Sequence, residues 1–454
     1  MLDDLQSYAA EIVKQEGIPA ISLAVWDGKK QYQGAAGILN LDTNVEATTD
    51  SIFQIGSITK VMTTCLVLKL VEKGLVELDR PVKHYLRGFS VADKTATDLI
   101  TVRQLLNHTN GIAGDYFPDD ANEDGPHIAR YVDRCAQLPL VHPVGAGFSY
   151  SNAAFAIAGR LVEVVAGLSW YDAIEEWIYQ PLDMKHAICR PEQMIRFRTA
   201  LGHIPGSEGG WQTCSGKLLT MGQAPAGTTP TMTASDLLRF GRAHLNEGSS
   251  QGEKPWLSDA MIKLMQTPTV KIPAVLPNIQ QSLGLGWFCY KTLSDDQFFI
   301  DHAGATNGQV ATLRLFPERQ AGFALLMNCG NGAVLKNTVA ELTSELSGID
   351  TSLPENDGVA LTEEQLQPFT GHYHAYAGDY RFYIEQGALV ARFDDAVDEG
   401  GPFYFYLTPL GNMCFATKNE QGESLGQMSF IATADNHEPD QLFAGMRLYR
   451  KVSS

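Results

Sequence analysis

The hydrophobic pattern alternates between two periods along the first 345 residues. Residues 3–15 space their apolar side chains as an amphipathic helix does. Ile21 to Trp26 and Lys29 to Ala35, joined at Asp27-Gly28, read as a β-hairpin. After the run Phe53-Gln54-Ile55-Gly56, helical spacing returns through Val61, Cys65, Leu66, Leu68 and Val71, with Gly74 as the stop. That spacing predicts a second amphipathic helix. Thr101 to Gly111 predicts a short capped helix entering a loop, and one long helical pattern runs from Asn152 through Leu161, Val164 and Val165 to Trp177. Residues 190–230, rich in Gly, Pro and Thr, read as long loops. Ala234 to Asn246 predicts a helix. Gly284 to Tyr290 with Gln297 to Ile300 predicts a hairpin, Val310 to Phe316 and Gly322 to Met327 two core strands, and Val334 to Leu346 a closing helix.

Beyond Ser347 the period changes. Residues 347–361 are polar, carry Gly348, Pro354, Asp357 and Gly358, and read as a linker. Aromatic-rich segments of period two follow: Tyr380 to Ile384, Leu389 to Phe393, Phe403 to Leu407, Met413 to Ala416, Met428 to Ile431 and Met446 to Tyr449. Short strands at such spacing predict a small antiparallel barrel. The expected division is therefore 1–346, a linker at 347–361, and a barrel over 362–454.

Composition narrows the classes without choosing one. A chain of 454 residues can bury a large core, and 44% hydrophobic with 19% charged residues is ordinary for a globular protein. A net charge of −18 argues against nucleic acid or an anionic membrane as partner. No apolar run approaches the ~20 residues of a membrane span, and residues 1–6 lack a basic, then apolar, leader pattern. Seven scattered cysteines without metal-type spacing fit reduced thiols, so a cytoplasmic location is the expectation.

Candidate chemistry begins at Ser57-Ile58-Thr59-Lys60. A serine at a helix start lies where unpaired N–H groups favour a developing anion, and a lysine three residues on shares its face. A desolvated ammonium there loses its proton readily and can activate a hydroxyl. Taken alone, Ser57 is equally an N-cap and Lys60 a solvated helix residue; a chain this long should hold roughly one chance Ser-x-x-Lys. Tyr150-Ser151-Asn152 on a turn before a helix, and His302-Ala303-Gly304 on a strand, add two more weak motifs with equally plain packing and capping explanations. The acidic loop Tyr116 to His127, with Asp119, Asp120, Glu123 and Asp124, reads as solvated, with a cation-selecting rim as the functional alternative.

In this order the three motifs resemble the serine β-lactamase and penicillin-binding-protein superfamily, in the branch of class C β-lactamases, their esterase relatives and D-aminopeptidases. The resemblance covers residues 5–345. Ile100 to Gly111, Pro181 to Met184, Pro225-Ala226-Gly227 and Leu283 to Trp287 extend it, and the C-terminal barrel resembles a lipocalin-like module. It implies an α+β fold: an antiparallel sheet flanked by helices, an all-helical subdomain, and the added β-barrel. It implies Ser57 as nucleophile, Lys60 and Tyr150 sharing general-base and general-acid work in an order left open, and Asn152 orienting Lys60 and the substrate amide. The amides of Ser57 and Ala305, beside Gly304, would form the oxyanion hole. His302 stands where the family carries lysine, so a permanent cation for a substrate carboxylate is missing; a neutral imidazole would donate one hydrogen bond instead. That departure suits esterase or aminopeptidase relatives. The function implied is a serine hydrolase working through an acyl-enzyme on esters or amides, small or D-configured peptides included. A β-lactamase or D,D-carboxypeptidase is the alternative, and an inactive ligand-binding sensor a third. No cofactor or metal is implied; the partner is a small-molecule or peptide substrate, with homo-oligomerisation left open.

Overall fold

The computed structural model describes all residues except 121–124, 208, 216–218, 246–255, 274–277, 352–357, 396–401, 421, 434–437 and 453–454. Its organising layer is a nine-stranded antiparallel sheet. The strands are β1 Ala20–Trp26, β2 Gln31–Asn40, β3 Val45–Glu46, β4 Val270–Lys271, β5 Ile279–Leu283, β6 Phe288–Thr292, β7 Phe298–Thr306, β8 Gln309–Phe316 and β9 Ala321–Met327. Their spatial order is β3-β2-β1-β9-β8-β7-β6-β5-β4. Every residue of β1 and β9 is buried, because both faces of the sheet are covered. Ile21, Leu23, Val25, Phe323 and Leu325 pack towards helix α1 (Leu5–Glu16) and the closing helix, whose residues Val334 and Leu342 join the same cluster. Ala20, Ala24, Ala324 and Leu326 face the larger core on the other side.

That larger core surrounds helix α2, Thr59–Glu72. The predicted helix exists and stops at Gly74, whose φ of +70° lies in the left-handed region that glycine enters without strain. Its amphipathic character does not hold. Every residue from Thr59 to Leu68 is buried, so the helix runs through the middle of the molecule instead of lying on its surface. Lys60, which alone could have been a solvated residue, and the polar Thr63 and Thr64 are each hydrogen-bonded inside.

The long helix expected from Asn152 to Trp177 is broken. Helix α3, Asn152–Ala166, ends at Gly167 in the left-handed conformation (φ +69°). Ser169 then caps a separate helix, α4 Trp170–Ile174, by accepting the Asp172 N–H. Nor does Gly284 to Trp287 begin a strand. It is the turn between β5 and β6, where Gly286 (φ +76°) lies so close to α2 that a Cβ would meet Thr64 Oγ1 at 2.6 Å. Among the described residues no single helix is long and apolar enough to cross a membrane.

The C-terminal region closes into an eight-stranded antiparallel barrel: β10 Gly371–Ala375, β11 Gly378–Glu385, β12 Ala388–Asp395, β13 Phe403–Gly411, β14 Cys414–Lys418, β15 Ser424–Ile431, β16 Gln441–Ala444 and β17 Arg447–Val452. Tyr373, Tyr380, Phe382, Phe415 and Phe430 fill its interior. Met446, expected within the last strand, instead sits at the tip of the β16–β17 turn with φ +68°, following Gly445 at +53°. That turn is pushed against the rest of the protein. Phe443 and Leu448 pack on Phe148, Tyr150, Leu283 and Phe288, and Tyr150 N–H donates to Met446 O at 2.9 Å.

Candidate active site

Ser57 occupies a single 3-10 turn, Gly56–Ile58, immediately before α2, and Lys60 lies in the first turn of the helix itself. Lys60 is wholly buried, and its Nζ sits 2.9 Å from Ser57 Oγ and 2.7 Å from the carbonyl oxygen of Ala226. Burial first, and the charge of Arg447 second, hold the Lys60 amine well below the ordinary lysine range, with Asp115 opposing. A neutral amine fits these contacts. The amine donates to Ala226 O and to Ser57 Oγ, and in its neutral form its lone pair can instead accept the Ser57 hydroxyl proton.

The turn is pressed against the edge of β7. Strand β6 pairs with β7 only as far as Asp301, so residues 302–306 have an open edge on that side. Two glycines allow the approach. A Cβ on Gly304 would lie 2.0 Å from Ile55 O and 2.7 Å from Ser57 N, and one on Gly56 (φ +53°) would lie 2.6 Å from Ala305 N. The backbone of Gly56–Ser57 therefore lies directly against that of Gly304–Ala305, and Ser57 and Ala305 both line the cleft.

Tyr150 closes another side. Its ring lies 4.8 Å from Lys60 Nζ and stacks on His108 at 4.3 Å. Burial pushes its phenol well above the usual tyrosine range, while a hydrogen bond with Ser57 and the charge of Arg447 pull it back in part. His108 accepts the Ser151 N–H at Nδ1, and burial together with Lys60 holds it neutral.

His302 faces the same cleft but differs from its expected use. Its Nδ1 lies 2.6 Å from Ala303 O and must donate there, which leaves Nε2 as an acceptor. Burial, then Lys60, pull its pKa down to about 3, against the Ala303 bond. The imidazole is neutral, and its one N–H is already committed. Asn152 also differs. Its Nδ2 donates 2.9 Å to Asp115 Oδ1, not to Lys60. Its Oδ1 stays free of the Asp115 contact, and the residue lines the cleft.

Two residues that the motifs did not flag complete the site. Asp115 is buried and receives Arg447 Nε at 2.6 Å and Nη2 at 2.9 Å as well as Asn152. Burial raises its carboxyl, but Arg447 outweighs that and the net position is below the usual carboxylate range. Arg447, at the start of β17, brings its guanidinium within 5.2 Å of the Tyr150 ring centre. The only available signal for Arg447 was a cation within a period-two strand, and for Asp115 its place just after the Ile100 to Gly111 segment. Neither distinguishes a site residue from a surface one. The Pro225-Ala226-Gly227 phrase does acquire a purpose: its Ala226 carbonyl anchors Lys60.

The resulting cleft, about 560 Å³, is lined by Ser57, Tyr150 and Asn152 on its polar side and by Phe117, Leu219, Phe288 and Met446 on its apolar side. Asp120 is buried and its carboxylate accepts the N–H groups of Met221 and Gly222 at 2.7 and 2.8 Å, so it holds two loops together rather than forming a rim. Glu123 and Asp124 lie outside the described residues.

The family model for Beta-lactamase matches residues 5–345, three-quarters of the chain. The chain belongs to the Beta-lactamase family. Among curated proteins it is 35% identical over 339 residues to Penicillin-binding protein 4 of Amycolatopsis lactamdurans, covering 73% of this chain and 87% of that one. The crystal structure of SurE superposes over 99% of both chains with a TM-score of 0.79 at 25% identity, so its similarity includes the barrel. A D-stereospecific amidohydrolase from Streptomyces matches 75% of this chain and 98% of its own with a TM-score of 0.57 at 26% identity. These likenesses support a serine hydrolase of the β-lactamase and penicillin-binding-protein type.

Proposed function

We propose that the protein cleaves amide or ester bonds of small peptides through an acyl-enzyme on Ser57, with a D-configured residue on the acyl side. The observation that carries this reading is the 2.9 Å contact between Ser57 Oγ and a wholly buried Lys60, whose amine burial holds well below the ordinary lysine range. Lys60 takes the hydroxyl proton as Oγ attacks the carbonyl carbon, and the oxyanion forms between the amides of Ser57 and Ala305. The protonated Lys60 passes its proton through Tyr150 to the leaving amine or alkoxide. Water then attacks the ester by the reverse path. The phenol held up and the Lys60 amine held down favour Lys60 over Tyr150 as the base in the first step.

Preference for D-configured amides is supported by likeness to the D-stereospecific amidohydrolase. His302 supports a substrate without a carboxylate next to the scissile bond. Its free Nε2 accepts a hydrogen bond, as an ammonium or hydroxyl would offer, and repels an anion's lone pairs. The second reading, a β-lactam-binding carboxypeptidase or β-lactamase, is favoured by the likeness to Penicillin-binding protein 4. A panel of a p-nitrophenyl ester, D-alanyl and L-alanyl p-nitroanilides and a chromogenic cephalosporin separates the two. We expect kcat/KM for the D-anilide to exceed that for the L-anilide and for the cephalosporin. A cephalosporin rate above all the others selects the second reading.

A further inference from the structure

The barrel reaches the active site through one turn. Gly445 and Met446 both take positive φ, which reverses the chain tightly enough to place Met446 O on the Tyr150 amide and Arg447 beside the Tyr150 ring. Arg447 spends three of its five N–H groups inside: two on Asp115, and one from Nη1 to Gly445 O at 2.7 Å. Asp115 is held against the start of α3, since a Cβ on the preceding Gly114 would lie 2.2 Å from Ser151 Cα. The carboxylate therefore ties together Arg447 from the barrel and Asn152 from α3, one residue either side of Ser151 from Tyr150.

Adhesion alone does not call for this pair. The barrel already packs through Phe443 and Leu448 against Phe148 and Leu283, an apolar contact without a desolvation cost. What the ion pair adds is charge at the cleft. The titratable groups around Lys60 are Tyr150, His108, His302, Asp115 and Arg447, from four separate segments of the chain. The tyrosine is a phenol and both histidines are neutral, so Arg447 and Asp115 carry the formal charges, and they act on Lys60 with opposite sign.

We propose that Arg447 is a positioning residue of the active site, supplied by the C-terminal barrel, which through Asp115 fixes Asn152 and Tyr150 and balances the charge around Lys60. The barrel is then part of the catalytic apparatus, because the β-lactamase-like portion holds the nucleophile and base but not this cation. The inference rests on the acyl-enzyme reading of Ser57.

The test is the rate at which a fluorophosphonate phosphonylates Ser57, with loss of fluoride, in the full-length protein, followed by intact mass from pH 5 to 10. This probe carries no carboxylate, so a loss cannot come from Arg447 gripping a substrate anion. Arg447→Ala should slow labelling at least ten-fold and move the acid limb of the rate profile to higher pH, because removing a cation lets Lys60 bind its proton more easily. Asp115→Asn should move the same limb to lower pH. Arg447→Lys should restore the position of the limb and only part of the rate, since it keeps the charge and loses the two-pronged grip. A purely structural role predicts rate losses with no shift, or shifts of one sign. Limbs that stay in place, or move together, would overturn the proposal. Should Arg447→Ala fail to fold, Asp115→Asn is still expected to move the limb to lower pH while Arg447→Lys leaves it in place with a reduced rate; no shift in Asp115→Asn, or an equal shift in both, would overturn the proposal. A wild type that fails to label at Ser57 refutes the acyl-enzyme reading itself, which is a separate result.

Discussion

Lys60 has no contact with solvent, and that decides which protonation state the fold tolerates. Between its depressed native pKa and the unfolded value of about 10.4, the unfolded chain binds one proton more than the native one, so stability contributed by this site rises with pH. Lys60→Met removes the penalty. It should melt higher than wild type at pH 7, and the wild type should regain ground on it by up to ~1.4 kcal/mol per pH unit towards pH 10. Denaturant titrations of both proteins at three pH values check the sign. The same substitution should abolish labelling, since the amine is the expected base. Ser57→Ala should also abolish turnover while leaving the melt near that of wild type, because Ser57 faces a cleft and is not part of the core. Lys60→Ala and Tyr150→Phe should each lose at least a thousand-fold, and the double variant little more, if the three act as a unit. Multiplicative losses in kcat/KM would count against a shared proton path. The residue types of this site were legible as motifs. The direction in which His302 and Asn152 use their hydrogen bonds was not, because those depend on a neighbouring carbonyl and on a carboxylate 37 residues away.

Among the elements, the free edge of β7 carries the most weight. It exists because β6 starts opposite Asp301, which leaves the last five residues of β7 without a partner on that side. A Cβ placed on Gly304 would strike the Ile55 carbonyl at 2.0 Å, so Gly304→Ala must push β7 and the Ser57 turn apart. We expect it to keep the sheet but to slow acylation by ~10²-fold or more, the scale of losing one oxyanion donor. Circular dichroism with fluorophosphonate labelling measures both halves of that statement. Helix α2 illustrates how far periodicity reaches. Its apolar residues located the helix and Gly74 its end, yet Thr63 and Thr64 counted as polar in the pattern while being buried and satisfied by Pro225 O and Lys60 O. Likewise, the apolar run of α3 continued into α4 without a gap in hydrophobicity, so only the Gly167-Leu168-Ser169 punctuation could have shown the break.

At the scale of the whole molecule, the contacts between the barrel and the β-lactamase-like portion include a small apolar cluster, the Arg447–Asp115 pair and hydrogen bonds from Tyr150 N–H to Met446 O and from Arg450 Nε to Val141 O. Phe443 is buried in that cluster, 6.0 Å from the ring of Phe148. Phe443→Ala should cost about 3–5 kcal/mol, as removal of a buried phenylalanine does. Because the β16–β17 turn would lose its seat, the rate of Ser57 labelling should fall in the same variant, under conditions where it is still folded. A stability loss with an unchanged rate would show that the turn holds its place without the cluster.

The sequence by itself determined what depends on near neighbours along the chain: the approximate places of most helices and strands, the change of period after Ser347, and three short motifs in a set order. Spacing puts Ser57 and Lys60 on adjacent turns wherever the helix lies, so their partnership could be read in advance. Only the tertiary structure decided the burial that lowers the Lys60 pKa, the meeting of Gly56 with Gly304 across some 250 residues, and the arrival of Arg447 at Asp115 across 332. The physical reason is that desolvation and Coulomb interaction depend on distance through space, and a linear pattern carries no record of which distant backbone or charge will be brought within a few ångströms.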